Sequence, residues 1–185
     1  KPFDGLKEKF DAKGDYFMLK PQFGGLAYFL DRKKIKGSLD LFISLFDENA
    51  GKILEATKEF NPTVHFLAIE QQGMFGAAAG KPEIEEDLRS VCVQKRYPEA
   101  FWEYISCRAK NINSSWWEDC LGKFNSDQIK SCARGIEGAT LLKENISLNK
   151  ELQIMAGPTY LIDNQQIFSS QGAPSKEELR KVIKR

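Results

Sequence analysis

Residues 155–163 read MAGPTYLID, a strand pattern with a proline at its mouth. Thr159, Tyr160, Leu161 and Ile162 suit a pleated, half-buried surface, whereas a proline cannot donate to a sheet ladder and belongs at a strand's first position or edge. Pro158 therefore opens the strand. The polar turn Asp163-Asn164-Gln165-Gln166 follows, then IFSSQG as a hairpin partner, then SKEELRKVIKR. In that last segment Ser175 and Glu178 form a capping box, and Leu179, Val182 and Ile183 supply an inward stripe. The ending is thus proline, strand, turn, strand, helix.

Working outward, the 185 residues are 42% hydrophobic and 29% charged, which suits one globular domain with an embellishment. Lys plus Arg (27) nearly balance Asp plus Glu (26), and the longest basic run, DRKKIK at 31–36, reads as a solvated turn between strands. No nucleic acid or anionic membrane is implied as a partner. No apolar segment approaches the roughly 18 residues of a membrane helix, so no membrane insertion of this segment is expected. No signal-peptide pattern opens the chain, which begins at Lys1 and reads as a mature or trimmed product.

The segment 16–30 reads as two short extended pieces broken by Pro21 and Gly24-Gly25, after a polar amphipathic stretch at 3–13. SLDLFISLF (38–46) alternates Leu39, Leu41, Ile43 and Leu45 with Asp40, Phe42, Ser44 and Phe46, so both faces are largely apolar and the strand reads as central. A helix follows, with Asp47 as its N-cap, Ala50, Ile53, Leu54 and Thr57 at helical spacing, and an end at Asn61-Pro62. TVHFLAIE (63–70) is the next strand, which completes a β-α-β unit with a parallel, right-handed return. QQGMFGAAAGKPE (71–83) reads as a flexible, small-residue loop; it lacks the ending of a phosphate loop. From 83 to about 152 the pattern is helical in successive short segments, and no repeat or low-complexity linker occurs.

The resulting order is β-α-β, a helical insert, then α-β-β-α. It resembles the DsbA-like thioredoxin-fold family from Leu39 to the C-terminus, most specifically at GPTYLIDNQQIF…GAPSKEELRKVI. The resemblance implies an α/β thioredoxin-like fold, a central mixed β-sheet flanked by helices, with an inserted all-helical subdomain. It divides the chain into an N-terminal extension (1–30), a thioredoxin-like domain (31–82 and 136–185) and a helical insertion (83–135). It also implies that Pro158 is cis and faces the active site, with Gly157 where Thr or Val often sits.

The sequence departs from that family at the redox motif. A CxxC pair there lies between the first central strand and its helix, where the helix N-terminus lowers a thiol's pKa. Here Asp47-Glu48-Asn49-Ala50 fills the place, and a carboxylate cannot form a mixed disulfide. Asp47 as a general base would need a nucleophile or a second carboxylate beside it, and none is suggested, so a capping role is expected. His65 reads as a structural or edge histidine. Tyr97, Phe101, Trp102, Tyr104, Trp116 and Trp117 lie at helical spacing and are expected to pack the insert rather than line a groove. No metal or cofactor is implied.

The four cysteines, Cys92, Cys107, Cys120 and Cys132, form no CxxC or zinc spacing and point to disulfides in an oxidising compartment, periplasmic or secreted. Four cysteines allow three pairings. A helical hairpin about RAKNINSS (108–115) places Cys107 beside Cys120, and the outer helices then bring Cys92 to Cys132. The expected function is a redox-inactive binding or assembly module of the cell envelope, holding a protein or extended peptide against Asp47–Ala50 and Gly157-Pro158. The competing expectation is a thiol-disulfide oxidoreductase that uses cysteines of the insertion.

Overall fold

The computed structural model describes residues 10–13, 16–19, 26–170 and 172–183. Among the described residues there are nine strands: β1 (Phe10–Lys13), β2 (Tyr16–Leu19), β3 (Leu26–Tyr28), β4 (Leu39–Ile43), β5 (Thr63–Phe66), β6 (Ile69–Gln71), β7 (Met74–Gly76), β8 (Thr159–Ile162) and β9 (Gln166–Ser169). They are joined by α1 (Ala50–Thr57), α2 (Lys81–Arg96), α3 (Pro98–Lys110), α4 (Trp117–Leu121), α5 (Ser126–Arg134), α6 (Ile136–Glu151) and α7 (Lys176–Ile183). The main sheet runs β1-β2-β3-β9-β8-β4-β5, and β6-β7 form a separate hairpin. β4 pairs parallel with β5 and antiparallel with β8, so the sheet is mixed and helix-flanked, the thioredoxin-like arrangement.

β4 lies inside the sheet, between β8 and β5, because its sequence leaves it no wet face. Leu41, Phe42 and Ile43 are all fully buried, with Leu41 and Ile43 in the core under the helices and Phe42 in a second cluster with Leu152, Ile154, Leu161 and Ile167. β5 is the edge strand, and His65 on it is a structural histidine. Its Nε2 lies 2.7 Å from Asp40 Oδ1, and its ring stacks on Phe42 at 4.8 Å.

Three expectations need correction. The extended reading of 63–70 breaks after Phe66, and the supposed loop at 71–83 contains β7 and the start of α2. The reason is the pair Gln72-Gly73, whose positive φ angles (51° and 76°) make a two-residue hairpin turn of the hand that strand twist favours. The polar stretch at 3–13 falls partly outside the described residues, and its described part is β1; β1, β2 and β3 extend the main sheet through the β3–β9 pairing. Asp47 does not cap α1. Asn49 occupies the cap position without a side-chain bond, while Asp47 Oδ1 accepts the Asn49 N–H at 2.7 Å and so tightens the turn ahead of the helix.

The helices between residues 81 and 134 are organised around a buried ion pair. Glu86 (1% exposed) accepts from Arg108 Nε (3.0 Å), Arg89 Nη2 (2.6 Å) and the Tyr104 hydroxyl (2.8 Å). Arg108 (2% exposed) also donates to the carbonyls of Asn111, Ser114 and Ile112, which wraps the turn after α3 around one guanidinium. Phe101, Tyr104 and Trp117 are buried and Tyr97 and Trp102 pack against them, whereas Trp116 is exposed. The structure joins Cys107 to Cys120 across that turn and Cys92 to Cys132 between α2 and α5. The α5–α6 corner is tight beside the second bond: a Cβ on Gly138 would lie 2.5 Å from the Cys132 carbonyl oxygen, so this position accepts only glycine.

Arg108→Met leaves three turn carbonyls without their donor and weakens the neutralisation of Glu86. The expected cost is about 3–5 kcal/mol, read by urea denaturation. Arg108→Lys should recover little of it, because a point charge cannot replace the planar guanidinium fork.

Candidate functional site

The chain leaves β4 at its C-terminal end and turns at once. Ser44 O accepts the Asp47 N–H, Asp47 O accepts the Ala50 N–H, and the Ser44 hydroxyl accepts the Phe46 N–H at 3.2 Å. This turn sets Asp47 half-buried, Glu48 exposed and Ala50 fully buried. Beside it runs the segment leading to β8, where the Gly157–Pro158 bond is cis and the Thr159 hydroxyl donates to the Ala156 carbonyl at 2.7 Å.

Gly157 is where the packing is tightest. A Cβ there would lie 2.9 Å from both the Phe42 carbonyl oxygen and Leu67 Cδ1. The Phe42 oxygen is backbone of the central strand and cannot give way. Glycine lets the 157 backbone sit directly on the end of β4, which is the physical reason this sequence lacks the branched residue the resemblance leads one to expect.

Between these two segments lies a groove of about 760 Å³. Its walls are Ser44, Phe46 and Asp47 from the turn, Leu67 to Ile69 from the β5–β6 link, residues 76–79 from the hairpin and the lead into α2, and residues 154–157. Glu83 and Asn149 supply the remaining polar groups. The structure therefore brings Asp47 and Gly157 onto one groove. Ala50 and Pro158 are buried and do not line it, and Glu48 instead lines a second depression with Gly51, Lys52, Glu55, Ala109, Lys110 and Ser175.

Sequence reasoning missed Glu83, Asn149 and the hairpin wall. Glu83, 1% exposed, accepts the Ala79 N–H at 2.7 Å and the Ser44 hydroxyl, tying the α2 start to the β4 turn. Asn149 donates its amide to the Phe66 carbonyl at 3.0 Å, and its Oδ1 has no hydrogen-bond partner. One signal was present: Ala77-Ala78-Ala79 before Gly80 marks a wall with almost no side chain.

One helical turn below Glu83, Asp87 is 1% exposed and neither of its carboxyl oxygens has a hydrogen-bond partner. Burial, with Glu83 and Glu86 beside it, pushes its pKa well above the usual carboxylate range. Tyr160, behind the turn, is likewise held neutral, by burial first; the Ser170 hydroxyl opposes the shift and the Asp47 carboxylate adds to it. Among the described residues no cluster of three or more His, Cys, Asp or Glu is placed to hold a metal ion, and no helix is long and apolar enough to cross a membrane.

No family model matches the chain, and no curated protein sequence matches it. Solved structures do. The chain is similar to Proteus mirabilis ScsC in a compact conformation, with a TM-score of 0.57 and 16% identity over 80% of this chain and 81% of that one. It is similar to the catalytic domain of the same protein (TM-score 0.54, 16% identity, 98% and 94% covered). A thioredoxin-like oxidoreductase from Silicibacter pomeroyi DSS-3 follows (TM-score 0.51, 12% identity, 94% and 92% covered). At such identities the likeness establishes the thioredoxin-like fold and nothing of the chemistry. All four cysteines of this sequence lie in the two disulfides between helices, and none lies in the turn after β4.

Two outcomes are expected. Gly157→Val should destabilise the protein by about 1–3 kcal/mol through overpacking against β4, read as a lower urea midpoint at unchanged slope. Asp87 ties stability to pH with a definite sign. Below about pH 4 the carboxyl is protonated in both states. As pH rises, the unfolded chain ionises while native Asp87 stays protonated, so stability falls until the raised native pKa is passed. Asp87→Asn should lack this fall and gain on the wild type as pH rises, measured by urea denaturation across that interval.

Proposed function

We propose that this protein is a thioredoxin-fold binding module that holds an extended, largely apolar segment of a partner protein, without dithiol exchange at the place where the fold carries a CxxC. The observation that carries this reading is the groove itself. It lies against the turn after β4 and the segment before Pro158, and most of its wall is apolar or glycine. A cleft of that size, walled by apolar side chains with a few polar groups, suits a short run of peptide side chains, and backbone beside a strand end can add strand-like hydrogen bonds. The half-buried carboxylate of Asp47 and the buried Ala50 stand at the two thiol positions, which supports binding without covalent capture. Two disulfides, one with Cys92 and Cys132 both buried, support an oxidising compartment, periplasmic or secreted.

A second reading, a thiol-disulfide oxidoreductase acting through the insertion, is favoured by one observation. Cys107 and Cys120 are only partly buried, so an attacking thiolate has access to their bond.

Insulin reduction and oxidation of a dithiol peptide separate the two. The binding reading expects rates at background. Turnover above background that disappears in Cys107→Ser would establish the second reading instead. The paired change Asp47→Cys with Ala50→Cys serves as the positive control, because it places two thiols at the start of α1, where at least one should have a depressed pKa and the pair should form a reducible disulfide.

A further inference from the structure

We infer that the groove selects a cationic side chain, lysine or arginine, set among apolar residues of the bound segment; this rests on the peptide-binding reading and names its substrate class. The argument is one of charge and unused hydrogen-bond capacity. The chain carries 27 Lys and Arg residues, and none of the described ones lines the groove, while two carboxylates, Asp47 and Glu83, do.

Glu83 is buried, and no described cation pairs with it. Its described partners are neutral, the Ser44 hydroxyl and the Ala79 N–H. The two guanidiniums of the same helical layer, Arg89 and Arg108, are both paired with Glu86. Asp87, one turn below, is held protonated by burial and adds no charge of either sign. The field at this end of the groove is therefore negative, and a buried charge without a partner is costly until one arrives.

Asn149 points the same way independently. Its side chain is 5% exposed, and its amide nitrogen is committed to the Phe66 carbonyl, so the atom left without a partner is the oxygen, an acceptor. Among the described residues, the one buried polar atom of the wall that has no partner is thus an acceptor. A lysine ammonium brings three donors and a charge, and its methylene stem lies well against apolar walls such as Leu67 and Ile154. An anionic segment meets only like charge.

The test uses acetyl-Gly-Leu-Ala-Xaa-Ala-Leu-Gly-amide peptides with Xaa as lysine, norleucine, asparagine or glutamate, bound to the intact disulfide-bonded protein and followed by fluorescence anisotropy. The lysine peptide should bind about tenfold or more tightly than the norleucine peptide at low salt, and the glutamate peptide should bind least. The advantage should shrink as salt rises toward about 1 M, where screening acts within roughly 3 Å. Asp47→Asn keeps the Asn49 contact and should reduce the ratio of lysine to norleucine affinity several-fold; Glu83→Gln should do the same. Ala78→Trp, at an exposed wall position, should weaken all the peptides. Equal binding of lysine and norleucine peptides, or a preference for asparagine, would overturn the charge selection while leaving the groove reading intact. Absence of all binding would remove both.

Discussion

Strand β4 is apolar on both faces, and the site depends on where that constraint puts its C-terminal end. With Leu41 and Ile43 packed toward the main core and Phe42 toward the other cluster, the strand cannot move to an edge without exposing one set. Burying each of these side chains is worth about 1.5–3 kcal/mol, so the position is fixed several times over. Its end then does two things within a few residues: the Phe42 carbonyl fills the space that a side chain at 157 would need, and Ser44 begins the turn carrying Asp47. The groove is the space between those two consequences.

The helical block serves the sheet in a second way, by covering the edge that β5 leaves open. Gln94 donates to the Val64 carbonyl, Asn145 accepts the Phe66 N–H, and Asn149 donates to the Phe66 carbonyl. Three amide side chains from α2 and α6 thus stand in for a missing neighbour strand. An open edge is a template for pairing with other chains, and side-chain amides block it while satisfying its backbone groups. The same placement carries Asn149 into the groove wall, so edge protection and the polar character of the site share one residue. The Glu86–Arg108 pair and the two disulfides hold this block rigid enough for such contacts to persist.

What the sequence made legible was local. Continuous apolar alternation placed β4, the Ser175–Glu178 capping box placed α7, with both reciprocal bonds formed, and the proline-strand-turn-strand order placed β8 and β9. What it hid was long-range or unusual in its residue. The β6–β7 hairpin turns on Gln72-Gly73, and glutamine is a rare occupant of a left-handed position that Asn or Asp usually marks. Glu83 closes a stretch that reads as a loop, and its role depends on Ser44, thirty-nine residues away in sequence. Asp47 has the spacing of a cap to the apolar stripe, but its side chain finds a nearer N–H at Asn49 first.

On the proposed binding reading, a carboxylate at residue 47 where the family carries a thiol changes how affinity must arise. In either case the residue sits just ahead of the N-terminus of α1, where the helix dipole favours negative charge by about 0.3–1 kcal/mol. On that reading the electrostatic setting is kept without the covalent bond. A thiolate can hold a partner through a mixed disulfide even when the surrounding contacts are weak. A carboxylate cannot, so every part of the affinity must come from the groove wall, from apolar burial against Phe46, Leu67 and Ile154 and from the acceptors that remain. That demand accounts for the character of the wall: a hairpin and an alanine run close one side of a cleft whose other side is the bare backbone at Gly157, held against β4 by the absence of a single methyl group.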